Sequence, residues 1–459
     1  MSADVGLVTD SPASKQHATP NRVLLAVGAG VAAIAAIAYI VALATHPRDS
    51  LLNGFDLSVY LGGAGEALHQ PGRLYTWMYE GHPGIKFTYT PFAALVFALG
   101  RAVPFTAMLG LVALVSVFSL VATIWIAFRE LGWRSLVTRT GATLLVTGIV
   151  FWSQPVQREL YLGQIELGLM ALVTWDLCQP DRRWWKGAAT GIAAGIKLVP
   201  VLFIAYLLLT RRFKQAFVAA GAFVVSVLIG FAALPGTSAG YWFTGSFFEA
   251  SRTGFVGDQE NQSLRGMLTR FAGSVNAGVL PWFIAAVVVG IIGLAAGILL
   301  HNAGHTFAGL MTCALTAVLD SPISWDHHWV WLAPGVALLI DLAVRARSGS
   351  ARGWWYAAVT AVVLLFAAWP DFWYASAGVL QGGLVNYAPA SSWASGDNPA
   401  YVEYHWNLAQ ILAGNLYVLI GLALLIAAAV AAWRLARYRG GVPRLLRGPA
   451  DLALASPES

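Results

Sequence analysis

"WWKGAATGIAAGIKLVPVLFIAYLLLTRRFK", residues 184–214, decides how this chain can be built. Apolar residues run from Ala188 to Leu209, interrupted by Lys197 and Pro200. Basic residues close both ends: Lys186 on one side, Arg211, Arg212 and Lys214 on the other. A lysine at membrane depth and a proline inside a helix each oppose a straight span. Short basic loops gather on one side of a membrane. Two half-helices that enter and return to the same side satisfy the charge pattern, and one straight crossing breaks it. Lys197 then lies in the middle of the segment, where a buried cation meets an anionic headgroup; snorkelling to an interface is its bland alternative.

The rest of the chain fits that setting. Only 11% of the residues are charged and 58% are hydrophobic, against about 25% charged in a soluble domain. The expected class is an all-α polytopic membrane protein. Apolar runs at 23–44, 105–128, 161–178, 215–234, 279–300, 303–320, 329–345, 354–370 and 407–433 are long enough to span. Shorter ones at 90–103, 140–152, 187–197 and 198–210 bring the total to about 10–13 transmembrane helices. The net charge of +6 comes from short basic clusters between the runs, so it is a topology signal and not a nucleic-acid one. Cys178 and Cys313 lie far apart and suggest neither a disulfide framework nor a metal knuckle. Residues 1–22 read as a disordered cytoplasmic N-terminus, 23–435 as the membrane domain and 436–459 as a basic cytoplasmic tail. The long polar, aromatic-rich loops 45–89, 235–278, 321–328 and 371–404 are then left outside.

Those outer loops hold the candidate chemistry. Asp56, in "LLNGFDLSVYLGG" (51–63), follows closely on the first span. Its carboxylate reads either as a helix cap or as a general base taking a proton from an attacking hydroxyl. Asp326-His327-His328 offers imidazole recognition of a phosphate or sugar, with a polar collar between tryptophans as the alternative. One carboxylate beside two adjacent histidines is poor metal-ligand spacing. Arg158, Glu159, Gln164 and Glu166 cluster at the mouth of another span. Asn261 and Gln262, in "ENQS" (260–263), have the amides that bind sugar hydroxyls, but equally suit a polar loop.

Six segments carry a resemblance: GFDLSVYLGGAGEAL (54–68), FTYTPFAALVF (87–97), YLGQIELGLMAL (161–172), GIAAGIKLVPVLF (191–203), ENQSLRGM (260–267) and SPISWDHHWVW (321–331). In this order they resemble the actinobacterial glycosyltransferase family 87 of the GT-C superfamily, over roughly residues 23–435. The resemblance implies GT-C architecture, with outer-face loops forming the active site in the cell membrane. It implies a polyprenyl phosphate mannose donor and a phosphatidylinositol mannoside acceptor, the tetramannoside becoming the pentamannoside through an α-1,2 linkage. Inversion follows from a β-linked donor. The family's essential acidic residue of the first outer loop matches Asp56, and its histidine loop matches His327 and His328. On this reading Asp56 is the base, and His327 or His328, Lys197 and Arg158 hold the donor phosphate. Tyr60, Tyr89, Gln164, Glu166, Asn261, Gln262 and Asp326 line the acceptor and sugar groove. No metal or other cofactor is expected, because cationic side chains can do the charge work; a monomer is the default. The family form often has Asn where this sequence has Glu166. An α-1,2-branching enzyme of lipomannan and lipoarabinomannan is the main alternative. A lipid-linked sugar flippase and a non-catalytic envelope scaffold are rivals of other classes, though no internal repeat favours a transporter.

Overall fold

The computed structural model describes residues 21–46, 51–79, 85–249, 252, 254–368, 382–391 and 398–438. Most of both expected cytoplasmic termini and much of the loop 371–404 lie outside the described residues. Among those residues the chain forms eighteen α-helices and only isolated β-bridges. In chain order they are α1 (Arg22–Thr45), α2 (Phe55–His69), α3 (Pro91–Gly100), α4 (Phe105–Glu130), α5 (Leu136–Val150), α6 (Gln154–Leu162), α7 (Glu166–Leu177), α8 (Ala188–Ile196) and α9 (Val201–Leu209). Then follow α10 (Phe213–Ala233), α11 (Pro235–Phe243), α12 (Leu264–Ala272), α13 (Val279–Asn302), α14 (Thr306–Asp320), α15 (Leu332–Arg345), α16 (Gly349–Leu365), α17 (Leu408–Gly414) and α18 (Leu416–Tyr438). Asp326–Trp331 is a 3-10 turn that leads into α15.

Six helices among the described residues are long and apolar enough to cross a membrane, with mean hydropathy up to 2.8. On α1, Val23, Ile34, Ile37 and Ile40 are each more than half exposed, a surface that hydrocarbon accepts and water does not. Its other face packs on α5 through glycine. A Cβ on Gly28 would stand 2.1 Å from the Gly141 carbonyl oxygen, so the two backbones touch directly.

The segment 184–214 divides as its charges require. Helix α8 ends at Ile196, Lys197 takes an extended conformation, and Pro200 stands at the start of α9. A straight rod from Lys186 to Arg212 would separate them by about 39 Å at 1.5 Å per residue. Instead Lys186 Nζ lies 2.8 Å from Asp181 Oδ1, and Arg212 pairs with the same oxygen. Both half-helices therefore begin and end at one side, and Lys197 stands at their tip. Asp176, fully buried, accepts hydrogen bonds from the Gly187 and Thr190 backbone N–H groups at 2.9 Å and caps α8.

Two expected spans are interrupted. The run 161–178 is broken between α6 and α7 by Gly163, whose φ of +68° favours glycine. The run 407–433 is broken between α17 and α18 at Asn415, which is buried and accepts from the Arg270 guanidinium at 2.6 Å. The run 354–370 is helical only to Leu365, within α16.

Candidate active site

The α6–α7 and α8–α9 breaks meet where Lys197 pairs with Glu166, and the polar residues converge there. Loop one docks first: the Asn53 and Gly54 N–H groups donate to the Tyr161 carbonyl, at the end of α6, at 2.9 and 2.8 Å. Gly54 occupies the cap position of α2 with φ +71° and has no side chain to cap it. Asp56 is in the first turn of the helix, where the helix dipole favours an anion. Its carboxylate is therefore not the capping group.

Gln164, in the α6–α7 break, donates its Nε2–H to Asp56 Oδ2 at 2.6 Å. Tyr60 in turn donates to Gln164 Oε1 at 2.5 Å, and its oxygen lies 2.9 Å from Tyr89 Oη. Tyr60, Tyr89 and Gln164 are all buried, so this chain of hydroxyls and amide fixes Asp56 from behind. Burial pushes the Asp56 carboxyl above the usual carboxylate range. The opposing influences are His327 first, then the Gln164 hydrogen bond, Arg158 and Lys197.

The 3-10 turn supplies the two histidines. Asp326 is fully buried and its oxygens are already occupied. Gln154 Nε2 donates to Oδ2 at 2.8 Å, the His327 N–H to Oδ1 at 2.7 Å, and Arg158 Nε lies 3.5 Å from Oδ2. Arg158 also donates to Glu260 Oε2 at 2.5 Å. Burial pushes the Glu260 carboxyl up, and Arg158 pulls it back. The histidine rings stand almost perpendicular, with centroids 4.7 Å apart. His328 Nε2 lies 3.0 Å from Lys197 Nζ, whereas the His327 ring nitrogens, though buried, have no hydrogen-bond partner among the described residues. Lys197 pairs with Glu166 and lies 5.5 Å from the Tyr89 ring centroid.

Asp56, Gln164, Tyr60 and Tyr89 thus form one arm. Lys197, Glu166 and His328 form a second, and Arg158, Glu260 and Asp326 a third, with the His327 Nδ1 3.4 Å from Asp326 Oδ1. Three expectations change. Asn261 is fully buried, with Nδ2 donating to the Val256 carbonyl at 2.8 Å and Oδ1 accepting from the Ser324 N–H at 3.0 Å. Gln262 is equally buried and binds the Gln259 and Gly414 carbonyls and the Tyr417 N–H. Their amides staple the 254–263 loop to its neighbours and are not free for a sugar. Asp326 is likewise an internal anchor, and Glu166 is tied to Lys197.

Sequence reasoning missed two participants, Gln154 and Glu260, and singled out a third, Glu159, without giving it a role. Gln154 joins Asp326, Asn386 and Tyr417. Glu159, fully buried, accepts from the Leu167 N–H at 2.8 Å and so caps α7. Glu260 holds Arg158. The only signal for Glu260 was a carboxylate beside a singled-out residue, which does not reveal its partner.

The model of glycosyltransferase family 87 matches residues 87–322, just over half of the chain. The chain belongs to glycosyltransferase family 87. It is 33% identical over 377 residues to the polyprenol-phosphate-mannose-dependent alpha-(1-2)-phosphatidylinositol pentamannoside mannosyltransferase of Mycobacterium tuberculosis, covering 80% of this chain and 83% of that one. The Mycolicibacterium smegmatis protein of the same name is 32% identical, covering 70% and 78%. A polyprenol-phosphate-mannose-dependent alpha-(1-2)-phosphatidylinositol mannoside mannosyltransferase of the latter organism is 31% identical, covering 68% and 74%. No solved structure matches the chain significantly. As a family 87 member the protein is a multi-pass membrane glycosyltransferase. Arg158, Gln164, Glu166, Lys197 and Glu260 lie inside the segment the family model matches; Asp56 and the two histidines lie outside it.

Proposed function

We propose that this family 87 enzyme is an inverting mannosyltransferase. It moves mannose from polyprenyl phosphate mannose to a phosphatidylinositol mannoside, turning the tetramannoside into the pentamannoside through an α-1,2 linkage. The names of its mycobacterial relatives support the donor and the acceptor class. The observation that carries the mechanism is the Asp56 carboxylate, held at a helix start by the Gln164 hydrogen bond. His327 adds a buried imidazole whose nitrogens have no hydrogen-bond partner among the described residues.

Asp56 takes the proton of the acceptor 2-hydroxyl. The hydroxyl oxygen attacks the anomeric carbon from the face opposite the phosphate. Expulsion of a phosphate needs no protonating acid, so one carboxylate suffices. His327, Lys197 and Arg158 meet the charge that grows on the phosphate. His328 acts on Lys197 and not on the donor. The active site faces the extracytoplasmic side of the cell membrane, where the lipid-linked donor is presented.

The test is transfer by purified full-length protein in nanodiscs, supplied with polyprenyl phosphate mannose and a phosphatidylinositol tetramannoside, with and without EDTA. Wild type is expected to form the pentamannoside in both conditions. Asp56→Asn keeps the shape and the Gln164 contact, and its rate is expected to fall by about 10²–10⁴-fold, the usual worth of a positioned base. Full activity in Asp56→Asn removes the base assignment. Transfer onto lipomannan alone reassigns the protein to the branching reaction.

A further inference from the structure

Both cations assigned to the donor phosphate already carry carboxylates. Lys197 pairs with Glu166, and Arg158 with Glu260 and Asp326. Carboxylates offset the cost of burying such cations, and here they also stand on the cations that an anionic donor would meet.

The charge changes during transfer. The donor phosphate is a diester with one negative charge. When the bond between the anomeric carbon and the phosphate oxygen breaks, its electron pair stays on that oxygen. The anomeric carbon bonds to the acceptor oxygen, and the acceptor proton passes to Asp56. The phosphate departs as a monoester, with a charge of about −1.5 to −2 at neutral pH. Two bare cations would therefore hold the product more tightly than the substrate, and release would limit turnover.

We propose that Glu166 sets the balance between donor and product at this site: its charge on Lys197 opposes the second negative charge that the phosphate acquires, and so favours release of polyprenyl phosphate. The geometry supports this in two ways. Glu166 stands at the start of α7, in the interhelix break, with its side chain 13% exposed, so little water screens it from Lys197. His328 takes the remaining place on Lys197 without adding charge. Its Nε2 faces the ammonium at 3.0 Å, where a neutral imidazole accepts from the lysine, which has donors only. Glu166 is thus a positioning residue acting through Lys197. The inference rests on the donor reading given above.

The test compares binding of two lipids, polyprenyl phosphate mannose and polyprenyl phosphate of the same chain length, to the full-length protein in nanodiscs at pH 7.5. Wild type, Glu166→Gln and Glu166→Asp are measured side by side. Removing the charge strengthens both lipids but the more anionic one further. In Glu166→Gln the affinity for polyprenyl phosphate relative to the donor is expected to rise about tenfold, as suits a partly buried unit charge a few Å away. Glu166→Asp, which keeps the charge, is expected to keep the wild-type ratio. An unchanged ratio in Glu166→Gln overturns the inference alone, as does a Glu166→Asp ratio that follows Glu166→Gln. Failure of wild type to bind either lipid overturns it together with the donor reading.

Discussion

Tyr60→Phe tests the arm that holds Asp56, because it removes one oxygen and almost no volume. That oxygen donates to Gln164 Oε1 at 2.5 Å and lies 2.9 Å from Tyr89 Oη, in a buried environment. Without it, Gln164 Oε1 keeps only the long 3.4 Å contact from the Ile165 N–H. Leaving a buried acceptor unpaired costs about 1–3 kcal/mol. The Gln164 amide is then free to turn, and its hydrogen bond to Asp56, charge-assisted and so among the stronger kind, loses alignment. Two results follow. About 1.4 kcal/mol lost from positioning the base lowers kcat about tenfold. The Gln164 hydrogen bond also lowers the Asp56 pKa, so weakening it raises a value that burial has already raised. A base works only when ionised, so activity is lost as pH falls through its pKa. The acidic limb of the wild-type profile is expected above the ordinary carboxylate range, and that of Tyr60→Phe higher still. The assay is pentamannoside formation across pH with saturating donor, with the donor KM expected to change by less than about threefold. An unchanged kcat, or an acidic limb that moves down, would refute the reasoning.

The remaining predictions separate scaffold from site. Gln262→Ala deletes an amide that bonds two carbonyls and one N–H in the interior; it is expected to cost about 3 kcal/mol of stability, seen as a lower unfolding midpoint, while the acceptor KM of the folded enzyme stays near wild type. A large rise in acceptor KM with unchanged stability would return Gln262 to the sugar groove. Gly163→Ala places a Cβ 2.9 Å from Leu57 Cβ at a φ of +68°. The left-handed backbone alone costs about 1–2 kcal/mol, and the clash displaces Gln164, so both stability and transfer are expected to fall; wild-type transfer would show that the α6–α7 break tolerates movement.

The membrane class, the main apolar helices and the re-entrant pair were legible in the sequence, because each depends on local quantities. Hydropathy over about 20 residues decides whether a segment can enter a bilayer. Lys186, Lys197, Pro200 and Arg212 decided that 184–214 folds back. Asp56 was legible as a candidate because a carboxylate so close to a span is costly unless it has a use. Its support was not. Gln164 is 108 residues away along the chain, and Arg158 and Glu260 are 102 apart. Pairings at that distance leave no periodic trace, so residue type alone could not separate a ligand from a staple. Asn261 and Gln262 have the chemistry to bind sugar, yet neighbouring backbone groups take up their amides. His327 and His328 are adjacent and identical in type, but the turn aims one ring at Lys197 and leaves the nitrogens of the other without a hydrogen-bond partner among the described residues. Local hydrophobicity and charge thus determined where the chain enters the membrane and which polar residues stand near its face. Only the tertiary structure decided which of them keep a free hydrogen-bonding group, because that depends on whether packing brings another part of the chain close enough to take it.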